Sequence, residues 1–258
     1  MSGHITHLFL KEVKGQPMKQ TNSISLVKGL GIVGDKNAYP ISPRQVLITR
    51  HEDLQELNIP FGGLRENIIV RGLKVVDFQP CALVQIGAIK VRLTFHCEPC
   101  KRIADVVPSM VEVMCRRGIL GVVLEGGKID VNDEVECTPN QFKPFSDKPY
   151  DRFVMFMENV PTGKVVNYKM ITIGMGVAES YLRAMPKYIE NAKGTKLPLH
   201  RIVDTEGGLI ERYIPNQSNL LQGEGVKIIR NTDLFSSDNN PCVNLSETMW
   251  EGAPLYQN

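Results

Sequence analysis

The feature that most constrains this chain is a change of hydrophobic period across a proline-rich stretch. Residues 138–150 read TPNQFKPFSDKPY and carry three prolines, a composition that favours an extended spacer over a packed element. Before it, β-branched runs bounded by Gly or Pro dominate, at residues 45–49, 66–70, 82–86 and 89–94, and they read as strands. After it, residues 151–158, 168–173 and 179–191 have helical character, the last two separated by Gly174-Met175-Gly176, the outline of a helix-turn-helix. Each half of the 258 residues is long enough to bury its own core. The expectation is a multi-domain α+β protein. A β-rich barrel with a few helices spans 1–138, a linker 139–150, a small helix-turn-helix domain 151–230, and an acidic, poorly ordered tail 231–258.

Local signals refine this outline. Residues 51–57 and 109–117 read as helices, the second capped by Ser109 and Gly118, with Cys115 turned to the core. Leu209–Tyr213 is a candidate strand or wing, and Trp250 in the tail has the choice of docking on a domain or meeting a partner.

Charge and cysteine content exclude several classes. Net charge is +2, spread as 19 basic and 16 acidic residues over 1–150, 11 and 8 over 151–230, and none and 4 over 231–258. This permits nucleic-acid binding without demanding it. No apolar run approaches the roughly 20 residues that span a bilayer, so no membrane partner is expected. The N-terminal residues lack a basic stretch followed by an apolar one, so no secretory signal is read. Six cysteines in a chain of this length do not make a disulfide framework. The reading is a protein with mostly free thiols in a reducing, intracellular compartment, cytoplasm or nucleoid or nucleus.

In the first half the chemistry concentrates in His96-Cys97-Glu98-Pro99-Cys100-Lys101-Arg102, directly after a strand. Two thiols at this spacing can bind a metal, form a redox pair, hold one activated thiolate, or simply be two small buried residues. No second ligand pair exists, so no structural zinc is expected. Residues 29–136 resemble a MOSC domain. The resemblance rests on 29–38, 44–48, 63–68, Pro99-Cys100, and 117–121 running to 127–133, all in family order. It implies a β-rich barrel in which Cys100 carries sulfur or ligates molybdenum. Arg44, Arg65, Asn67, Arg102 and Cys97 would bind the molybdenum cofactor, since guanidinium forks suit its phosphate; for each arginine a surface salt bridge is the alternative. Glu66 and Asn67 would shape a pocket wall, Asp35 would serve a turn or, as the alternative, the site, and Cys97 could resolve an oxidised Cys100. Pyridoxal phosphate binding follows at family level. One departure stands out: Lys36-Asn37 replaces the family's basic–His pair.

Residues 152–229 resemble the DNA-binding domain of the O6-alkylguanine-DNA alkyltransferases, a winged-helix-like fold. The matching stretches are 160–165 with Asn167-Tyr168, 181–185, 198–203 and 222–226. In the active enzymes the 198–201 stretch reads Pro-Cys-His-Arg. Here it reads Pro-Leu-His-Arg. Alkyl transfer needs a thiolate, so Leu199 excludes transfer at this position while His200 and Glu224 persist. The resemblance implies that Arg183 fills the gap left by an extruded base and that Tyr168 turns the nucleotide outward. It makes Asn191 a hinge, with Leu199, His200, Arg201 and Val203 lining or supporting the pocket. Ordinary alternatives are a solvated helix residue for Arg183, a core residue for Tyr168, and a relict stabilising pair for His200 and Glu224. Related alkyltransferase-like proteins flag lesions for nucleotide excision repair, commonly with Trp at the cysteine position, from which Leu199 also departs. The sequence thus points to a protein that binds and flips O6-alkylguanine in double-stranded DNA without alkyl transfer, fused to a MOSC domain. The competing reading is a molybdenum-dependent reductase or sulfur carrier, for example acting on N-hydroxylated purines, with a degenerate second module.

Overall fold

A computed structural model describes residues 2–13, 15–229 and 241–252. The chain divides into two compact units that meet in sequence between Phe145 and Ser146.

The first unit is built from β1 (Ser2–Leu10), β2 (Lys19–Thr21), β3 (Ser23–Val27), β4 (Gly31–Ile32), β5 (Val46–Arg50), α1 (His51–Glu56), β6 (Ile68–Arg71), β7 (Leu83–Ile86), β8 (Ile89–His96), β9 (Ile119–Glu125), β10 (Gly127–Asp130) and β11 (Glu134–Thr138). Seven strands pair in the order β11-β7-β8-β9-β5-β6-β1, and β1 pairs again with β11, so the sheet closes into a barrel. Closure removes the open edges that a sheet of this length would otherwise expose. Every pairing in the ring is antiparallel except β5 with β6. Period-2 alternation places Val84, Ile86, Ile89, Val91, Leu93, Ile119, Val123, Val135 and Cys137 in one buried cluster with Ile5, Ile48 and Ile68. The three-stranded sheet β10-β3-β4 lies beside the ring.

Two expectations for this unit are corrected. Residues 109–117 form turns, not a helix. Ser109 does cap Glu112 as an N-cap would, but Cys115 adopts φ +60°, which a helix cannot absorb. Cys115 is exposed and not in the core. The proline-rich stretch is also no free spacer. Arg92 is buried, its guanidinium over the rings of Phe142 at 4.8 Å and Phe145 at 5.2 Å, and it donates to the Lys143 carbonyl at 2.9 Å. A desolvated cation–π pair contributes about 2 kcal/mol, enough to hold 142–145 on the first unit.

The second unit comprises α2 (Pro149–Glu158), β12 (Val166–Asn167), α3 (Tyr168–Gly174), a 3-10 turn at Glu179–Ala184, α4 (Met185–Ala192), a 3-10 turn at Leu199–Arg201, β13 (Ile202–Val203), α5 (Gln217–Gly223), β14 (Ile228–Ile229), β15 (Cys242–Val243) and α6 (Leu245–Thr248). Asn167 caps α3 by accepting from the Met170 N–H at 3.0 Å. The helix expected over 179–191 is divided at Met185-Pro186, because proline removes a backbone donor and favours a new first turn. Residues 209–213 are irregular chain running into a turn at 211–213, not strand. Of the expected loose tail, 231–240 and 253–258 lie outside the described residues. The remainder is packed: β15 pairs with β14, the Trp250 N–H donates to the Val165 carbonyl at 2.9 Å, and the buried Trp250 ring sits 5.6 Å from Phe156. Among the described residues no helix is long and apolar enough to cross a membrane.

Candidate functional site

In the first unit the site forms where β8 ends and the chain turns toward β9. Cys100 is half-buried and precedes a short 3-10 turn. The Arg117 side chain is 5% exposed. Its Nη1 donates to Cys100 Sγ at 3.3 Å and also to the Glu98 carbonyl, and its Nη2 reaches the Leu64 carbonyl at 3.5 Å. Gly118 makes this possible: at φ +108° it lies against Thr49 and the Ile48 carbonyl, where a Cβ would collide. Burial alone would push the Cys100 thiol up. A hydrogen bond from the Arg102 backbone and the charge and hydrogen bond of Arg117 outweigh that, so the thiol sits below its ordinary value.

Cations surround this thiol. Arg65, at φ +65°, donates to the Arg102 carbonyl at 3.2 Å. Burial holds the Lys11 ammonium below its ordinary value, helped by Arg65 and Arg102 and opposed by Asp35. Lys36 is lowered in the same way, by burial and then Arg102, against Asp35. Asp35 offsets this charge only in part, being one carboxylate among several cations. Its oxygens accept from the Lys11 backbone at 3.0 Å, Asn67 Nδ2 at 3.0 Å and the Asn37 backbone at 2.8 Å. Lys11, Lys36, Arg65, Arg102 and Arg117 therefore form a cationic cluster short of counter-charge, as an anion site requires.

Of the residues proposed for cofactor binding, the structure brings Cys100, Arg65 and Arg102 together. Asn67 is buried, and its amide is consumed by Asp35, the Leu47 N–H and the Phe9 carbonyl, so it is a structural tie. Cys97 is buried with Leu47 and Leu120, and burial raises its thiol against the pull of Arg117 and Arg44. The structure therefore places Cys97 in the core beside Cys100 instead of on the surface of the site. Arg44 contacts Cys97, Nη2 to Sγ at 3.9 Å. Arg117, Lys11 and Lys36 went unassigned in the sequence. A basic residue just before a glycine at a strand start was the available signal for Arg117. Among the described residues no three His, Cys, Asp or Glu side chains are grouped to hold a metal ion.

In the second unit the centre is Glu224. His200 Nε2 lies 2.7 Å from Oε1. Arg201 Nε donates to both oxygens at 3.0 Å, Nη2 donates to Oε1 at 2.6 Å, and the Gly163 N–H donates to Oε2 at 3.0 Å. Burial would raise this carboxyl, but the bonds from Arg201, Gly163 and His200 hold it down at about 2. Arg201 also binds the Val160 carbonyl at 2.5 Å and Thr162 Oγ1 at 3.0 Å. It ties Glu224 to the Val160–Thr162 turn and so supports the site from within the fold. Val203 is fully buried and paired in β13, so it supports the site without lining it. Leu199 is half-buried, and Arg183 and Asn191 are exposed. Tyr168 is half-buried, and burial followed by Tyr213, opposed by Arg212, pushes its hydroxyl up to about 12. Arg212 lies over the Tyr213 ring at 4.5 Å. That neighbourhood was not read from the sequence. The segment is anchored by Gln217, which accepts from the Ile210 N–H at 2.7 Å and donates to the His200 and Ile202 carbonyls at 3.0 and 2.6 Å. A cleft of about 440 Å³ opens between α2 and residues 195–198, and neither Tyr168 nor Arg183 lines it.

The closed barrel thus carries a half-buried cysteine thiol in a cationic setting. Residues 32–136 match the MOSC domain family, and the chain carries a MOSC domain there. No curated protein was found to match the chain. Among solved structures, YuaD from Bacillus subtilis is 19% identical over 54% of this chain and 97% of its own, with a TM-score of 0.49. YiiM from Escherichia coli is 16% identical over 74% and 94%, with a TM-score of 0.39. S. pombe Atl1, solved with damaged DNA containing O6-carboxymethylguanine, is 28% identical over 41% of this chain and 97% of its own, with a TM-score of 0.35.

Proposed function

We propose that the second unit recognises O6-alkylated guanine in double-stranded DNA without accepting the alkyl group, and that the MOSC domain binds an anionic cofactor beside Cys100. One observation carries the first part. His200 and Glu224 keep a hydrogen-bonded pair at 2.7 Å, and the residue in front of them is Leu199, which has no nucleophile to activate. A helix-turn-helix formed by α3 and the 179–192 segment would present Tyr168 and the exposed Arg183 to the duplex. Lesions bound in this way would be handed to repair proteins such as those of nucleotide excision repair.

The MOSC site suits the molybdenum cofactor on its donor set. Cys100 is a soft, accessible ligand with a lowered thiol, and Arg65, Arg102, Lys11 and Lys36 are short of counter-charge. Cys100 would hold the metal or carry sulfur, and the cations would hold the phosphate. The cofactor would supply oxygen-atom or electron transfer. Arg117 favours the thiolate form of Cys100 and orients its sulfur. The lowered Cys100 thiol favours a second reading, a sulfur carrier or reductase in which the second unit only mediates contacts.

Gel-shift titration with duplexes differing by a single O6-methylguanine decides the first part. Preference for the damaged duplex, reduced at least tenfold in Arg183→Ala, is expected. Equal affinity for both duplexes, or an Arg183→Ala variant that binds like wild type, refutes it. Metal and sulfur analysis of wild type against Cys100→Ala tests the second part: a load unchanged by the substitution removes Cys100 from the site.

A further inference from the structure

The carboxyl of Glu66 is used by nothing described so far. It is fully buried, just ahead of β6. Oε1 accepts the Gly62 N–H at 2.7 Å, and Oε2 has no hydrogen-bond partner. A buried, half-satisfied carboxylate is costly as an anion. The charge that faces it is Arg117, whose buried Nε is likewise without a partner and whose Nη1 faces Cys100. The neighbouring groups are otherwise engaged. Asp35 holds Lys11 and Asn67 by hydrogen bonds, Arg65 faces the Arg102 carbonyl, Lys11 Nζ donates to Gln16, Lys36 Nζ donates to Asn37 at 2.8 Å, and Cys97 is enclosed by Leu47 and Leu120.

We propose that Glu66 is a proton-linked counter-charge for the cationic cluster at Cys100, surrendering its negative charge by taking up one proton from solvent when an anion enters. This rests on the reading of the cluster as an anion site. Without a ligand, the ionised carboxylate balances part of the charge on Arg117. An arriving anion takes over that balance, and a buried carboxylate then has no remaining reason to stay charged. The burial that strands Oε2 also raises the carboxyl to about 6, against backbone hydrogen bonds and Arg117, so the proton is available close to neutrality. The sign is fixed: anions bind best when Glu66 is neutral, and affinity falls as pH rises through its range.

Sulfate is a suitable probe because its own charge is constant from pH 5.5 to 7.5. In the full chain, sulfate affinity should fall about fivefold across that interval, the change given by a coupling of one pKa unit. Glu66→Gln should bind sulfate with little dependence on pH. Wild-type calorimetry in buffers of differing ionisation enthalpy should show net proton uptake, a measurement that stands even if the variant does not fold. A pH-independent wild type, a variant that keeps the wild-type slope, or binding without proton uptake overturns the proposal. Absence of sulfate binding at every pH sinks the anion-site reading along with it, whereas binding that lacks only the pH slope sinks Glu66 alone.

Discussion

Replacing Glu224 with glutamine tests whether the second unit is held together at its centre by one carboxylate. Glu224 receives His200, three contacts from Arg201 and the Gly163 N–H, and its side chain is 14% exposed. Its carboxyl lies at about 2 in the folded chain against an ordinary 4.5. Taken in full, that shift corresponds to about 3 kcal/mol of stability, and solvent screening at the exposed edge reduces it to about 2. Arg201 keeps the Val160 carbonyl and Thr162 in the variant, so the cost stays below that of stranding a buried guanidinium. For a unit of about 100 residues, a loss of 2 kcal/mol lowers Tm by roughly 10–15 °C. The assay is built into the chain: the single tryptophan, Trp250, is buried in this unit, so its fluorescence follows this unit's unfolding. Because the folded carboxyl is depressed, its contribution is complete above about pH 4.5 and is lost as pH falls toward 2. The gap between wild type and Glu224→Gln should therefore shrink by more than half between pH 7 and pH 3. A gap under about 0.5 kcal/mol at pH 7, or one that stays constant between pH 7 and pH 3, refutes the reasoning.

Other outcomes follow from the same geometry. Leu199→Cys places a thiol directly before the His200–Glu224 pair, so this variant should take up one methyl group from duplex O6-methylguanine while wild type takes up none, as scored by radiolabel transfer; labelled wild type would refute the non-transferring reading. Trp250→Ala removes a buried ring packed at a tilt against Phe156 and should destabilise the second unit by about 3–5 kcal/mol in calorimetry; a loss under 1 kcal/mol would mean the 241–252 segment does not contribute to that core. In Cys115→Ser, Cys100 should be the fastest thiol toward an anionic disulfide reagent, and Arg117→Ala should slow it about tenfold. A Cys97 that reacts as fast in the native state would contradict its burial.

Legibility in the sequence tracked how local the causes were. The strands at 46–50, 68–71, 83–86 and 89–96 were readable because strands buried in a barrel favour β-branched residues and end at Gly or Pro, both of which are local signals. The helix assigned to 109–117 failed because its cap at Ser109 is real while the break is a single residue, Cys115, forced to positive φ; no residue type signals that when the residue is not glycine. The linker failed for a tertiary reason, since only the fold shows that Arg92, 50 residues upstream, captures Phe142 and Phe145. Sites divide in the same way. Cys100, Arg65 and Arg102 sit in short motifs, and the structure brings them together. Asn67 and Cys97 sit in those same motifs but are buried and bonded or packed within the fold, which proximity in sequence does not show. Lys11, Lys36 and Arg117 come from three separate stretches and converge only through barrel closure. The charge of the candidate site is thus a product of topology: motifs supply the thiol, and the barrel supplies the field that makes it usable.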